Sequence, residues 1–153
     1  MKITDILTSE MVVPELSADN KPDVLRELAT HLCSSVPEVT LDKVIGVLTE
    51  RERMGSTAIG DGIAIPHGKL KGLNRIIGIF GRSTKGIDFE SLDGKPTNLF
   101  FVLVAPEDSA SLHLKALARV SRLFKDEAFR IRLLKAADAA EIYGLIKEED
   151  GRY

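Results

Sequence analysis

The sequence predicts an α/β sandwich in which helices cover one sheet, and three observations carry that expectation. Apolar residues recur at helical spacing in the first third of the chain and again from Asp108 to the C-terminus. Between these blocks, short apolar runs alternate with turn signals such as Gly60-Asp61 and Asp93-Gly94. One of those runs, LFFVLVAP at 99–106, is apolar throughout, as suits a strand buried on both faces. Helices, then strands, then helices around a single sheet give this layered architecture.

The elements follow in order. A short extended segment is expected at 11–16. Asn20 or Asp19 then caps a helix with Pro22 in its first turn and Leu25, Leu28, Ala29 and Leu32 as its apolar stripe. Thr40 opens a second helix with Leu41, Val44, Ile45 and Leu48 on one face, and Gly55 is placed to end it. Residues 57–59 and 62–65 read as two short strands joined by a tight turn at Gly60-Asp61, and 75–82 and 98–104 as two more. From Asp108, Leu112, Ala116, Leu117, Val120, Leu123 and Phe124 repeat at helical spacing. Phe129, Ile131 and Leu134 continue the pattern, then Ile142, Leu145 and Ile146. Strand order and direction are not legible at this level.

Bulk properties exclude several classes. The 153 residues are 44% hydrophobic and 29% charged, which predicts one domain over 1–153 with a sizeable core. A formal net charge of −2 gives no electrostatic reason to expect nucleic acid or an anionic membrane as partner. Cys33 is the only cysteine, so neither an intrachain disulfide nor a cysteine-based metal cluster can form. Asp5 and Glu10 interrupt the N-terminus where a signal peptide needs apolar residues, and no run approaches the roughly 20 needed to span a bilayer. A soluble, cytoplasmic protein without membrane insertion is the expectation.

The segment GDGIAIPHGK, residues 60–69, raises the functional question. Pro66 fixes its own φ and biases Ile65 towards extended backbone, while Gly68 permits a sharp turn away. His67 is therefore expected to be presented where a strand leaves the core, as an incidental turn residue or as a displayed nucleophile. Phosphate loops fail on spacing: five residues separate Gly62 from Gly68, and Leu70 follows Lys69 where a P-loop needs Ser or Thr. Gly60-x-Gly62 lacks the third glycine of a dinucleotide fingerprint. Histidines at 31, 67 and 113 lack metal-ligand spacing, and no G-x-S-x-G elbow is present. No cofactor or metal is expected.

Two further residues carry paired readings. His113 falls on the buried line 113, 117, 120, 124 of its helix, either as a core histidine satisfied by a carbonyl or as a neutral donor to an anion near the helix start. Arg51 extends the stripe Leu41, Val44, Leu48 by three residues. It either complements the helix C-terminus or enters a cleft, where its fork suits phosphate oxygens. His31 falls beside its helix's stripe, as a boundary residue. Ser56 and Thr57 are either turn residues or hydroxyls that help hold an oxyanion. Neutral imidazole is a good nucleophile for phosphoryl groups, so His67, His113 and Arg51 together suit covalent phosphoryl transfer.

The stretch RERMGSTAIGDGIAIPHGK, residues 51–69, closely resembles the IIA component of the fructose/mannitol class of the bacterial phosphoenolpyruvate-dependent phosphotransferase system. The resemblance runs from MKITDIL to the final helix and implies a central mixed β-sheet flanked by helices in a three-layer-like sandwich. It implies that His67, in the family's I/L-P-H-G motif, accepts phosphate from an HPr/NPr-like phosphocarrier protein. The second family histidine matches His113 in VAPEDSASLHLKAL, and the family's motif arginine matches Arg51; both would stabilise the phosphate. A stand-alone chain of this length is most similar to the nitrogen-regulatory branch, whose phosphate is read by regulatory target proteins. The alternative is a sugar-specific member that passes phosphate to a IIB domain; less favoured is a regulatory module that acts unphosphorylated.

Overall fold

The computed structural model describes residues 1–152. After two single turns of 3₁₀ helix (Ile3–Asp5 and Ser9–Met11) the chain forms strand β1, Val12–Val13, where the extended segment was expected. Helix α1, Lys21–Ser35, starts as its sequence requires: the Asn20 side chain accepts from the Asp23 backbone at 2.9 Å, and Pro22 occupies the first turn. Its stripe Leu25, Leu28, Ala29 and Leu32 is buried. Helix α2, Leu41–Arg53, begins after Thr40, whose side chain makes no capping bond. Val44 and Leu48 are fully buried, whereas Leu41 and Ile45 lie at the core's edge. Gly55 ends the helix with a φ of 137°, which only glycine adopts without strain.

Strands β2, Ala58–Gly60, and β3, Ile63–Ala64, pair antiparallel across the expected turn. Strand β5, Ile77–Ile87, runs past Arg82 through a register shift, so its polar continuation RSTKG hides the alternation that marks a strand. It lies antiparallel to β6, Thr97–Pro106, the run expected to be buried on both faces. Strand β4, His67–Leu70, was not expected at all, because Pro66 and Gly68 are strand breakers. It forms because β6 offers it a parallel partner, from His67 beside Leu103 to Leu70 beside Pro106. Pro66 still leaves its mark: with no N–H to give, it separates β3 from β4 along the same side of β6, although its carbonyl accepts from Leu103 N at 3.0 Å.

The sheet order is β1-β5-β6-β3-β2 with β4 also on β6, and it is mixed: β1–β5, β3–β6 and β4–β6 are parallel, β5–β6 and β2–β3 antiparallel. Helices cover both faces. Gly81 faces Leu28 of α1, while its neighbours on β5 point the other way. Phe80 stacks on Phe124, and Arg82 donates to the carbonyls of Leu133 and Ala136 at 2.8 and 2.7 Å. That second face is covered by α3, Ala110–Leu123, α4, Glu127–Lys135, and α5, Ala139–Asp150. Arg82 thus caps the C-terminus of α4 from inside the core, where its charge complements the helix dipole. In two helices the buried face only partly matches the expected stripe. Leu112 and Ile131 are both 42% exposed, whereas Ala116, Val120, Leu123 and Phe129 are buried as expected, with His113 beside them on α3 and Leu133, outside the expected stripe, on α4.

Candidate functional site

The site gathers at the β4 edge of the sheet, where the last turn of α2 and the first turns of α3 converge. His67 opens β4 and is half-buried rather than standing on a free turn, which corrects the expectation that the chain leaves the core there. Gly68 is needed for a different reason from the one expected. A Cβ at that position would lie 2.7 Å from Val47 Cγ2, so glycine lets α2 pack directly against β4.

The His67 ring is oriented at both nitrogens. Nδ1 lies 2.9 Å from the Ile65 carbonyl oxygen, and a carbonyl only accepts, so the proton sits on Nδ1 and Nε2 carries the lone pair. The Arg51 Nε–H donates to that Nε2 at 3.3 Å, while its NH1 group donates to the Gly55 carbonyl at 2.9 Å. Burial pushes the His67 pKa below its ordinary value. The bond to Ile65 and the Glu52 carboxylate work against that shift, and the Arg51 charge reinforces it. The ring is therefore neutral at pH 7.

His113 is 5% exposed, and its ring centroid lies 5.3 Å from that of His67 with the planes tilted by 52°. Burial lowers its pKa first, and the charges of His67 and Lys69 lower it further. Its Nδ1 has no hydrogen-bond partner among the described residues, so the reading as a core histidine satisfied by a carbonyl has no support at that atom. The three residues border one surface depression of about 490 Å³, whose rim includes Met54 and Leu114, 75% and 66% exposed.

The other candidates fall elsewhere. The Ser56 hydroxyl donates to the Phe89 carbonyl at 2.6 Å and that of Thr57 to Glu52, so both are engaged inside the fold and neither is turned towards an oxyanion. His31 is bonded through Nε2 to the Glu10 carbonyl at 2.7 Å, tying α1 to the N-terminal segment. Among the described residues, no group of three or more His, Cys, Asp or Glu is arranged to hold a metal ion. One residue near the site was passed over in sequence. Extending the α2 stripe from Leu48 by four residues, instead of three, reaches Glu52, which is buried. Chemically, the arrangement presents a neutral imidazole nitrogen with its proton held on the far side, a guanidinium at the reacting atom, and a second neutral imidazole beside it. This set suits attack on an anionic electrophile.

Comparison with known proteins finds relatives along nearly the whole chain. The family model described as phosphoenolpyruvate-dependent sugar phosphotransferase system, EIIA 2, matches residues 5–149. A nitrogen regulatory protein of Bradyrhizobium diazoefficiens is 44% identical over 146 residues, 95% of each chain. The fructose-specific EIIABC component of Bacillus subtilis is 37% identical over 150 residues, 98% of this chain and 24% of that protein. The crystal structure of nitrogen regulatory protein IIA-Ntr from Neisseria meningitidis superposes with a TM-score of 0.87 at 30% identity, covering 94% of this chain and 98% of that one.

Proposed function

The chain belongs to the EIIA 2 family of the phosphoenolpyruvate-dependent sugar phosphotransferase system, and from that membership we propose that it accepts a phosphoryl group on Nε2 of His67 from an HPr/NPr-like phosphocarrier protein and acts as a nitrogen-type regulatory IIA protein. The observation that carries the reading is the pair of contacts on the His67 ring, Nδ1–H to the Ile65 carbonyl and Arg51 Nε–H to Nε2. They select one nitrogen and place a cation beside it.

In the transfer, the Nε2 lone pair attacks phosphorus while the bond from phosphorus to the donor's imidazole nitrogen breaks, and that electron pair returns to the donor. His67 keeps its Nδ1 proton, so its ring becomes positively charged as the new bond forms. The Ile65 carbonyl stabilises that charge through the bond it already accepts. Arg51 turns its N–H groups from Nε2 to the phosphoryl oxygens, and His113, whose Nδ1 has no partner among the described residues, supplies one further hydrogen bond. The apolar rim at Met54 and Leu114 gives the carrier a surface to dock on, and a relay fed by a phosphocarrier protein suits a cytoplasmic location.

The test is labelling with phosphoenolpyruvate, enzyme I and an HPr/NPr-like carrier. Wild type should take up an acid-labile, alkali-stable phosphate and His67→Ala none; full labelling of His67→Ala overturns the assignment. The 37% identity to a fructose-specific component favours a second reading, a sugar-specific IIA. Phosphate passed on to a sugar-permease IIB domain, with no regulatory partner whose binding changes on phosphorylation, selects that reading.

A further inference from the structure

Glu52 is a carboxylate with 5% of its side chain exposed, directly behind the site. Its Oε1 accepts from the Thr57 backbone N–H at 3.1 Å and faces Lys21 Nζ at 3.0 Å, and its Oε2 accepts from the Thr57 hydroxyl. Burying a carboxylate is costly unless it is paired and fully hydrogen-bonded, so a side chain kept this way needs a reason. Stripe continuity would have allowed an apolar residue at that position. The reason lies one step further along. The Thr57 carbonyl accepts from Ile65 N at 3.2 Å, and the Ile65 carbonyl accepts from His67 Nδ1–H at 2.9 Å. Glu52 also closes the last turn of α2, next to Arg51, which holds the other ring nitrogen.

We infer that Glu52 is a positioning residue for His67: clamped by Lys21, it holds Thr57, Thr57 holds Ile65, and the Ile65 carbonyl fixes the tautomer that leaves Nε2 unprotonated. One buried carboxylate thus anchors the partners of both ring nitrogens. Glu52 touches neither the ring nor the transferred group in this scheme. Lys21 is the clamp's other half. Burial works to lower its pKa, and the Glu52 and Glu90 carboxylates more than reverse this, so the ammonium stays charged opposite Glu52. Lys21 also lies over the Phe89 ring, 4.7 Å from its centroid, which holds it in place. The titratable and charged groups around the His67 ring are Arg51 and Glu52 with Glu50 from α2, Lys69 from β4 and His113 from α3.

The inference rests on His67 as phosphoacceptor, but its test does not. Ring nitrogen-15 spectra of unphosphorylated protein report the His67 tautomer directly. Wild type should show Nδ1–H alone; Glu52→Ala should populate the Nε2–H form, and Glu52→Gln, which can still accept from Thr57, should lie between. Transfer should slow by about 10- to 100-fold in Glu52→Ala with the KM for the carrier within about twofold, in line with the loss of an outer partner of an oriented histidine. Glu52→Gln should recover part of that rate. A folded Glu52→Ala protein with the wild-type ring spectrum overturns the inference. If Glu52→Ala does not fold, wild-type tautomer and rate in Glu52→Gln overturn it. Failure of wild type to take phosphate would sink the functional reading and leave the tautomer result standing.

Discussion

Replacing Gly68 by alanine tests whether the packing of α2 on β4 sets the geometry of the site. The new Cβ would lie 2.7 Å from Val47 Cγ2, 3.0 Å from Val47 Cβ and 3.4 Å from its backbone carbon. Valine in a helix has one strongly preferred rotamer, so Cγ2 cannot simply rotate away. The Cβ contact belongs to the helix itself, so α2 must lift from the strand by several tenths of an ångström. Overpacking of this kind costs about 1–3 kcal/mol. Gly68 is not among the glycines with positive φ, so alanine fits the backbone and regains about 0.4–1 kcal/mol through the unfolded chain. The net loss of about 1–2 kcal/mol lowers Tm by roughly 2–8 °C in a chain of this size. Arg51 stands one turn beyond Val47 and moves with it, and because a 1 Å misplacement can cost about 10²-fold, a transfer rate down about tenfold is expected. Val47→Ala removes the Cγ2 clash but not the Cβ contact. The double variant should therefore be more stable than the sum of the two single changes by about 1 kcal/mol, within the range seen for touching residues. Thermal melts and rapid-quench phosphotransfer on the four proteins measure both effects. A Gly68→Ala protein with wild-type Tm and rate, or strictly additive stabilities, would refute the reasoning.

Arg51→Ala should fold normally, slow transfer by about 10²- to 10³-fold, and raise the His67 pKa seen by NMR titration, because the charge that helps depress it is gone. An unchanged rate returns Arg51 to a helix-capping role. His113→Ala should slow transfer over the same range, about 10²-fold or more, without abolishing labelling of His67; wild-type kinetics would leave His113 as packing only. Both histidines have folded pKa values below the unfolded value, so they bind fewer protons in the fold than in the unfolded chain. Stability should accordingly be full above about pH 6.5 and fall as pH drops below it towards the folded pKa values. Denaturant midpoints from pH 8 to 5 check the sign, and His67→Ala should flatten the slope.

Much of this molecule is local and therefore legible in its residues. The caps and stripes of α1 and α2, the turn at Gly60-Asp61 and the run that became β6 all depend on neighbours a few positions away, where periodicity and turn chemistry operate. The motif histidine, the motif arginine and His113 were each singled out from the residues, and the fold brings the three to one depression. Other features depend on partners distant in sequence. β4 exists only because β6 supplies its hydrogen bonds, against the local preference of Pro66 and Gly68. Ser56 and Thr57 had two plausible uses in sequence, and the position of Phe89 and Glu52 decided between them. Glu52 drew no reading from the sequence; the fold gives it its role by placing Lys21 at its oxygen, 31 positions away along the chain. Periodicity tells which face of a helix turns inward; which buried group finds a charged partner there depends on long-range packing, and only the tertiary structure settles it.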